Sequence, residues 1–69
     1  MRAFYTNGTL IIREGVQQLA AQPVFTENPR GLVDRANWRL RSVQVFGNDS
    51  KSWQVRQTIA ENLIGELAA

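Results

Sequence analysis

The residues best suited to molecular recognition are arginines grouped around a tryptophan. Arg35, Trp38, Arg39 and Arg41 fall within seven consecutive residues, and the segment 30–41 holds four arginines and one aspartate, a net charge of +3 against +2 for the whole chain. A guanidinium group binds carboxylates and phosphates equally well, and a tryptophan can stack on a base or fill a protein pocket. The segment therefore predicts a binding surface for an acidic ligand, unless Trp38 lies in the core and the arginines merely face solvent.

The side chains that catalysis near neutral pH uses most often are absent, because the chain has no histidine and no cysteine. This composition excludes imidazole proton shuttles, thiolate nucleophiles, disulfides and the usual zinc ligands. The sequence also contains no glycine-rich phosphate loop and no dinucleotide-binding motif. We therefore expect a non-enzymatic protein without a cofactor or a metal.

Asn7-Gly8 separates two stretches of alternating residues near the N-terminus and favours the type I′ turn of a two-residue β-hairpin. In the predicted register Arg2 faces Arg13. One face of the hairpin carries Ala3, Tyr5, Leu10 and Ile12, and the other carries Phe4, Ile11 and the arginine pair. A competing hypothesis, a helix that begins at Thr9, is weakened by Gly15 and by the run of branched residues.

Three arginines outside the segment 30–41 are further candidates for partner contact. A helix can cover only one face of so small a sheet, and the sequence leaves open whether that is the face with Arg2 and Arg13. The other face must meet water, another helix or a partner. Arg56 falls within the apolar half of a predicted C-terminal helix. Either its stem covers the helix edge while the guanidinium reaches water, or it pairs with an acidic group on a partner or a second copy.

The middle of the chain predicts three short elements. Residues 16–22 are rich in helix formers and predict a short helix that ends at Pro23. Asn28 and Pro29 predict the N-cap and first residue of a helical turn through Val33, although Gly31 weakens it. Residues 38–46 are dense in aromatic and β-branched side chains and predict a strand.

The alternation along the predicted strand 38–46 is irregular. Either a bulge near Ser42 brings its apolar side chains to one face, or the strand is buried on different faces at its two ends. On a regular strand Arg39 and Arg41 point to the same side, opposite Trp38. They would then present two guanidinium groups to one acidic surface.

The clearest helix of the sequence lies at the C-terminus. Its N-cap is Asp49, Ser50 or Ser52, and it continues to Ile64 or Leu67. At helical spacing its predicted apolar side consists of Val55, Ile59, Leu63 and Leu67, widened by Trp53, Ala60 and Ile64.

Together these elements predict a single small α+β domain over residues 1–69. The N-terminal hairpin and the strand 38–46 form a three-stranded antiparallel sheet, and the C-terminal helix packs on it. The sheet edges of so short a chain stay open and invite pairing, so a homodimer is one expected assembly.

Two hypotheses about function follow from the sequence. The first is a protein-binding module, an adaptor or an inhibitor, whose partner presents an acidic surface. Short chains without catalytic groups are common among phage-encoded inhibitors of host enzymes such as defence nucleases, which favours an inhibitor by analogy of size. The second is a small nucleic-acid-binding protein that uses the segment 30–41. Against it stands the net charge of only +2, because physiological salt strongly weakens a few phosphate contacts.

The apolar runs of the sequence are short. The longest, Leu10 to Ile12, is far below the roughly 18 residues that span a bilayer, and the N-terminus shows no signal-peptide pattern. We therefore expect a cytoplasmic protein without membrane contact.

Overall fold

Three antiparallel strands form one sheet in the order β1 (Arg2–Thr6), β2 (Thr9–Glu14) and β3 (Gln17–Pro23). Two helices follow, α1 (Pro29–Arg41) and α2 (Ser50–Ala68). The computed structural model describes all residues from 1 to 69. The predicted α+β class is confirmed, as are the three-stranded antiparallel sheet and the C-terminal helix packed on it.

The N-terminal hairpin has the predicted register, in which Arg2 lies opposite Arg13 and Thr6 opposite Thr9. Its turn places Asn7 at a φ of 50° and Gly8 at a φ of 77°. Positive φ at both central residues is what a type I′ turn requires, and Asn-Gly is the pair that adopts it most readily. The sequence thus specifies this hairpin locally.

Replacing Gly8 by valine is expected to lower the free energy of unfolding by about 1–3 kcal/mol, because a β-branched residue resists positive φ. A side chain at this position meets no atom within 4 Å, so backbone strain is the only source of the effect. Gly8→Asn is the control, since asparagine tolerates the left-handed region. Thermal melting of the three proteins measures the difference, and a valine variant that melts with the wild type contradicts the turn.

The third strand is not the predicted one, because the chain turns at Gly15, with a φ of 61°, and returns along β2. The helix predicted for residues 16–22 is therefore wrong. A register shift opposite Ile12 turns both Leu19 and Ala20 toward the core side, as in a β-bulge, and Leu19 is buried. Pairing with β2 and burial of Leu19 outweigh the helix propensity of the glutamines and alanines.

The strand predicted for residues 38–46 is also wrong, because α1 begins at Pro29 and continues to Arg41. The predicted N-cap is confirmed, since Asn28 Oδ1 accepts a hydrogen bond from the Gly31 N–H at 3.1 Å. The helix buries Leu32, Ala36 and Leu40, which recur at the four-residue spacing of one helix face. Burial of this face stabilises a helix that includes Gly31 and Trp38.

The C-terminal helix is confirmed, with Asp49 as its N-cap. Ser52, through its side chain and its backbone N–H, lowers the pKa of the Asp49 carboxyl below its ordinary value. The buried side of α2 is rotated from the predicted one, because Arg56 is buried and Val55 is 45% exposed. The fully buried residues of α2 are Arg56, Ala60, Leu63 and Ile64.

The core lies between one face of the sheet and the two helices, with α1 against β1 and α2 against β3. The hairpin buries the face that carries Ala3, Leu10 and Ile12, while Phe4 is 46% exposed on the opposite face. Tyr5 closes one end by donating its hydroxyl to the Val24 carbonyl at 2.6 Å. Neither helix is long and apolar enough to cross a membrane.

Candidate functional site

The seven sequence-predicted binding residues are divided among three places. α1 carries Arg35, Trp38, Arg39 and Arg41. The outer face of the sheet carries Arg2 and Arg13, and Arg56 of α2 lies against the loop before that helix.

The orientation of α1 is fixed by Asn37, whose amide bonds to the edge of β1. Its Oδ1 accepts a hydrogen bond from the Ala3 N–H at 2.8 Å, and its Nδ2 donates to the Ala3 carbonyl at 3.3 Å. The side chain thus takes the place of a neighbouring strand at this point of the edge. Because successive helix residues are about 100° apart, a sheet-facing Asn37 turns the following Trp38 outward.

Trp38 lies on the side of α1 opposite the core and is 70% exposed. The Arg41 guanidinium carbon lies 5.5 Å from the centre of its ring, within the range of a cation–π contact. Arg35, one turn earlier, is exposed on the same side. No carboxylate lies within ion-pair distance of Arg35 or Arg41. We call the surface formed by Arg35, Trp38 and Arg41 the α1 face.

Arg39 does not belong to the α1 face. In a helix, Arg39 and Arg41 lie about 200° apart, so the expectation that both point to one side is wrong. Arg39 turns toward α2 and forms an ion pair with Glu66 on the protein surface. Its charge is therefore paired within the chain, and the unpaired guanidinium groups of α1 belong to Arg30, Arg35 and Arg41.

An open groove of about 440 Å³ runs beside Trp38, and no sequence pattern predicts it. Leu67 from the end of α2 forms its apolar wall, and Asp34, Arg35 and Arg39 form its polar rim. Contact between the two helices creates this groove. A four-residue periodicity through Leu32, Ala36 and Leu40 would have indicated α1, but nothing local places Leu67 beside Trp38.

Arg56 is 7% exposed, and its side chain forms its contacts inside the molecule. Its Nη2 donates to the carbonyls of Val45, at 2.9 Å, and Gly47, at 2.7 Å, so it ties down the loop between the helices. Its guanidinium carbon lies 4.4 Å from the centre of the Trp53 ring, and its Nε lies 3.8 Å from Glu14 Oε1. The expectation that this guanidinium reaches water is therefore wrong.

The outer face of the sheet holds Arg2 and Arg13 directly opposite each other, next to Phe4 and Ile11. Both arginines are exposed, and neither forms an ion pair. This face and the α1 face are the two surfaces where unpaired arginines flank exposed apolar area. No group of three or more carboxylates is placed to hold a metal ion.

No protein-family model, curated protein or solved structure matches the chain.

Proposed function

We propose that the protein is a non-enzymatic binding module that covers an acidic surface of a partner protein with its α1 face. The observation that carries this proposal is the 70% exposure of Trp38 together with two unpaired arginines on the same side of the helix. Tryptophan and arginine are the residues most enriched among those that dominate binding energy at protein interfaces. An adjacent groove with Leu67 as a wall offers a place for an apolar side chain of the partner.

Charge on and around α1 favours a protein partner over a nucleic acid. Asp34 lies at the rim of the groove, and Glu66 neutralises Arg39. A row of phosphates would meet these carboxylates as well as the free arginines. Only Arg30, Arg35 and Arg41 remain for phosphate contact on this side of α1, too few for strong binding in physiological salt. Nucleic-acid binding through the segment 30–41 is the alternative outcome of the tests below.

A module of this kind acts by contact, either as an adaptor or as an inhibitor. An inhibitor needs only to occupy the surface that its target enzyme uses for substrate. A defence nuclease binds its nucleic acid mainly through basic groups of its own. On such a target, the acidic surface would be the catalytic carboxylates or a neighbouring patch. The proposal therefore includes a phage-type inhibitor of a host enzyme as one form of the module.

The test begins with partner capture and mass spectrometry and continues with titration of the purified partner. We expect Trp38→Ala to weaken binding by about 30-fold or more, the effect of losing a residue that dominates an interface. Phe25→Ala is the matched control, because Phe25 is 90% exposed but lies in the loop before α1. Equal affinity of the Trp38→Ala protein and the wild type contradicts the proposal.

The arginines are tested separately, through the rate of association. Arg35→Gln with Arg41→Gln removes two positive charges and is expected to slow association with an acidic partner by about tenfold at low salt. Lys51→Glu changes the net charge by the same amount and serves as the control, since Lys51 lies in the first turn of α2. Binding of a DNA or RNA duplex that falls steeply with salt and requires the same residues supports the alternative instead.

A further inference from the structure

The outer face of the sheet is uncovered, because both helices pack on the opposite face. Across its middle, Phe4 of β1 lies opposite Ile11 of β2, and Ile11 lies opposite Ala21 of β3. Side chains that face each other across neighbouring strands form a continuous surface. The result is an apolar row that crosses all three strands, with Phe4 46% exposed and Ile11 half-buried.

Both charged residues on the outer face itself are arginines, while Glu14 and Asp34 line grooves at its margins. Arg2 and Arg13 face each other across the hairpin, an arrangement of like charges that destabilises a sheet. Glu14 does not relieve it, because its carboxylate lies against the Met1 ammonium group and Arg56. The remaining residues of this face, such as Gln18 opposite Arg13, are uncharged. The pair therefore weakens the folded chain unless an external anion neutralises it.

We propose that this outer sheet face is a second docking surface, which binds an acidic segment of a protein with an apolar side chain at its centre. The apolar row of Phe4, Ile11 and Ala21 receives the apolar side chain, and Arg2 and Arg13 bind the carboxylates beside it. Carboxylates of this segment pair with the two guanidinium groups, which form no ion pair within the chain.

A second copy of the chain does not fit this face. In a two-fold dimer the same patch meets itself, so two outer faces would bring together four arginines and no carboxylate. Such a contact concentrates positive charge without compensation. The chemistry of the face therefore selects a different, acidic protein and not a homodimer.

The outer sheet face and the α1 face are formed by different residues but adjoin along the edge of β1, because Asp34 lines both the groove beside Trp38 and a groove that contains Arg2 and Phe4. This second docking surface is independent of the function proposed for the α1 face, since the two share no residue.

The test uses a defined probe, a synthetic peptide of alternating glutamate and leucine residues, titrated into the isotope-labelled full chain and followed by NMR. We expect saturable shifts centred on the amides of Phe4, Ile11 and Ala21. A peptide with lysine in place of glutamate and one with glycine in place of leucine should both fail to produce them. Shifts confined to α1, or no saturable shifts at the outer face, overturn the proposal.

Variants of the arginine pair separate binding from folding. Arg2→Glu with Arg13→Glu keeps a like-charge pair and should melt near the wild type, yet bind the acidic peptide about tenfold more weakly or worse. Arg13→Glu alone creates an opposite-charge pair with Arg2, so it should melt higher than the wild type and still bind more weakly. A purely structural pair would not lose binding while gaining stability. Unchanged binding by either variant overturns the proposal.

The matched control is Arg35→Gln with Arg41→Gln, which changes the α1 face and should leave the shifts at the outer sheet face unaltered. Analytical ultracentrifugation of the free protein supplies the other check. No dimer that covers this face is expected, and a dimer whose formation protects the amides of Phe4 and Ile11 would show that a second copy covers the face and would overturn the proposal.

Discussion

Replacing Leu63 by alanine is expected to lower the free energy of unfolding by about 2–5 kcal/mol, because it opens a cavity in the core that the surrounding residues cannot fully close. Leu63 is 5% exposed and lies in the cluster that joins α2 to the sheet and to α1. Domains of this size have unfolding free energies near the lower end of about 5–15 kcal/mol. The variant should therefore be substantially unfolded at physiological temperature, as urea denaturation followed by circular dichroism will measure.

Val55→Ala is the control for this prediction, since it shortens an apolar side chain in the same helix. Val55 is 45% exposed, so the change should stay within about 0.5 kcal/mol of the wild type. The sequence placed Val55 and Leu63 on the same apolar side of the helix, whereas the structure buries only Leu63 fully. Similar losses for the two variants, or a loss below about 0.5 kcal/mol for Leu63→Ala, would show that α2 is peripheral to the core.

The parts of the fold that the sequence predicts correctly are those that local chemistry determines. Asn7-Gly8 specifies the type I′ turn, and this turn determines every cross-strand pair of the hairpin. The N-caps Asn28 and Asp49 are likewise local features that mark the starts of the two helices. In each case the residues that decide the structure are close together in the sequence.

The parts that the sequence mispredicts depend on distant contacts. Residues 17–22 favour a helix by composition, but they become a strand because Gly15 returns the chain along β2. Residues 38–41 favour a strand by composition, but they extend a helix because Leu32 and Leu40 share one buried face. Propensity is decisive only where tertiary packing does not compete with it.

The same distinction applies to the candidate binding residues. The arginines of segment 30–41 lie on the surface as expected, since guanidinium groups seldom lie in a core, and Trp38, which the sequence leaves undecided, is exposed as well. The partners of each arginine could not be predicted, because they depend on whether the segment is a helix or a strand. The helix separates Arg39 from Arg41 and pairs it with Glu66, whereas Arg56 becomes the one buried charge.

The burial of Arg56 raises the question of what it contributes to stability. Its Nη2 forms two hydrogen bonds to carbonyls of the loop before α2, whereas its Nε and Nη1 are buried without a hydrogen-bond partner. Hydrogen bonds from a charged donor contribute about 1.5–3 kcal/mol each, and an unpaired buried nitrogen opposes them by about 1–3 kcal/mol. The contact with Trp53 and the nearby carboxylate of Glu14 favour the charged group further.

Truncating Arg56 to alanine is therefore expected to lower the free energy of unfolding by about 3 kcal/mol. This is the lower end of the range for removing one partner of a buried charge pair, and it applies here because the other partner, Glu14, is partly exposed. Arg56→Met keeps most of the side-chain volume and removes the donors, so it isolates the hydrogen bonds to the loop. For both variants we expect faster hydrogen exchange at the amides that follow Gly47, because the Val45 and Gly47 carbonyls lose their donor from α2 and only the bond from Ser52 to the Phe46 carbonyl remains. Wild-type stability together with unchanged exchange in the alanine variant would show that the hydrogen bonds of Ser52 and Trp53 to this loop, and not Arg56, hold it against the helix.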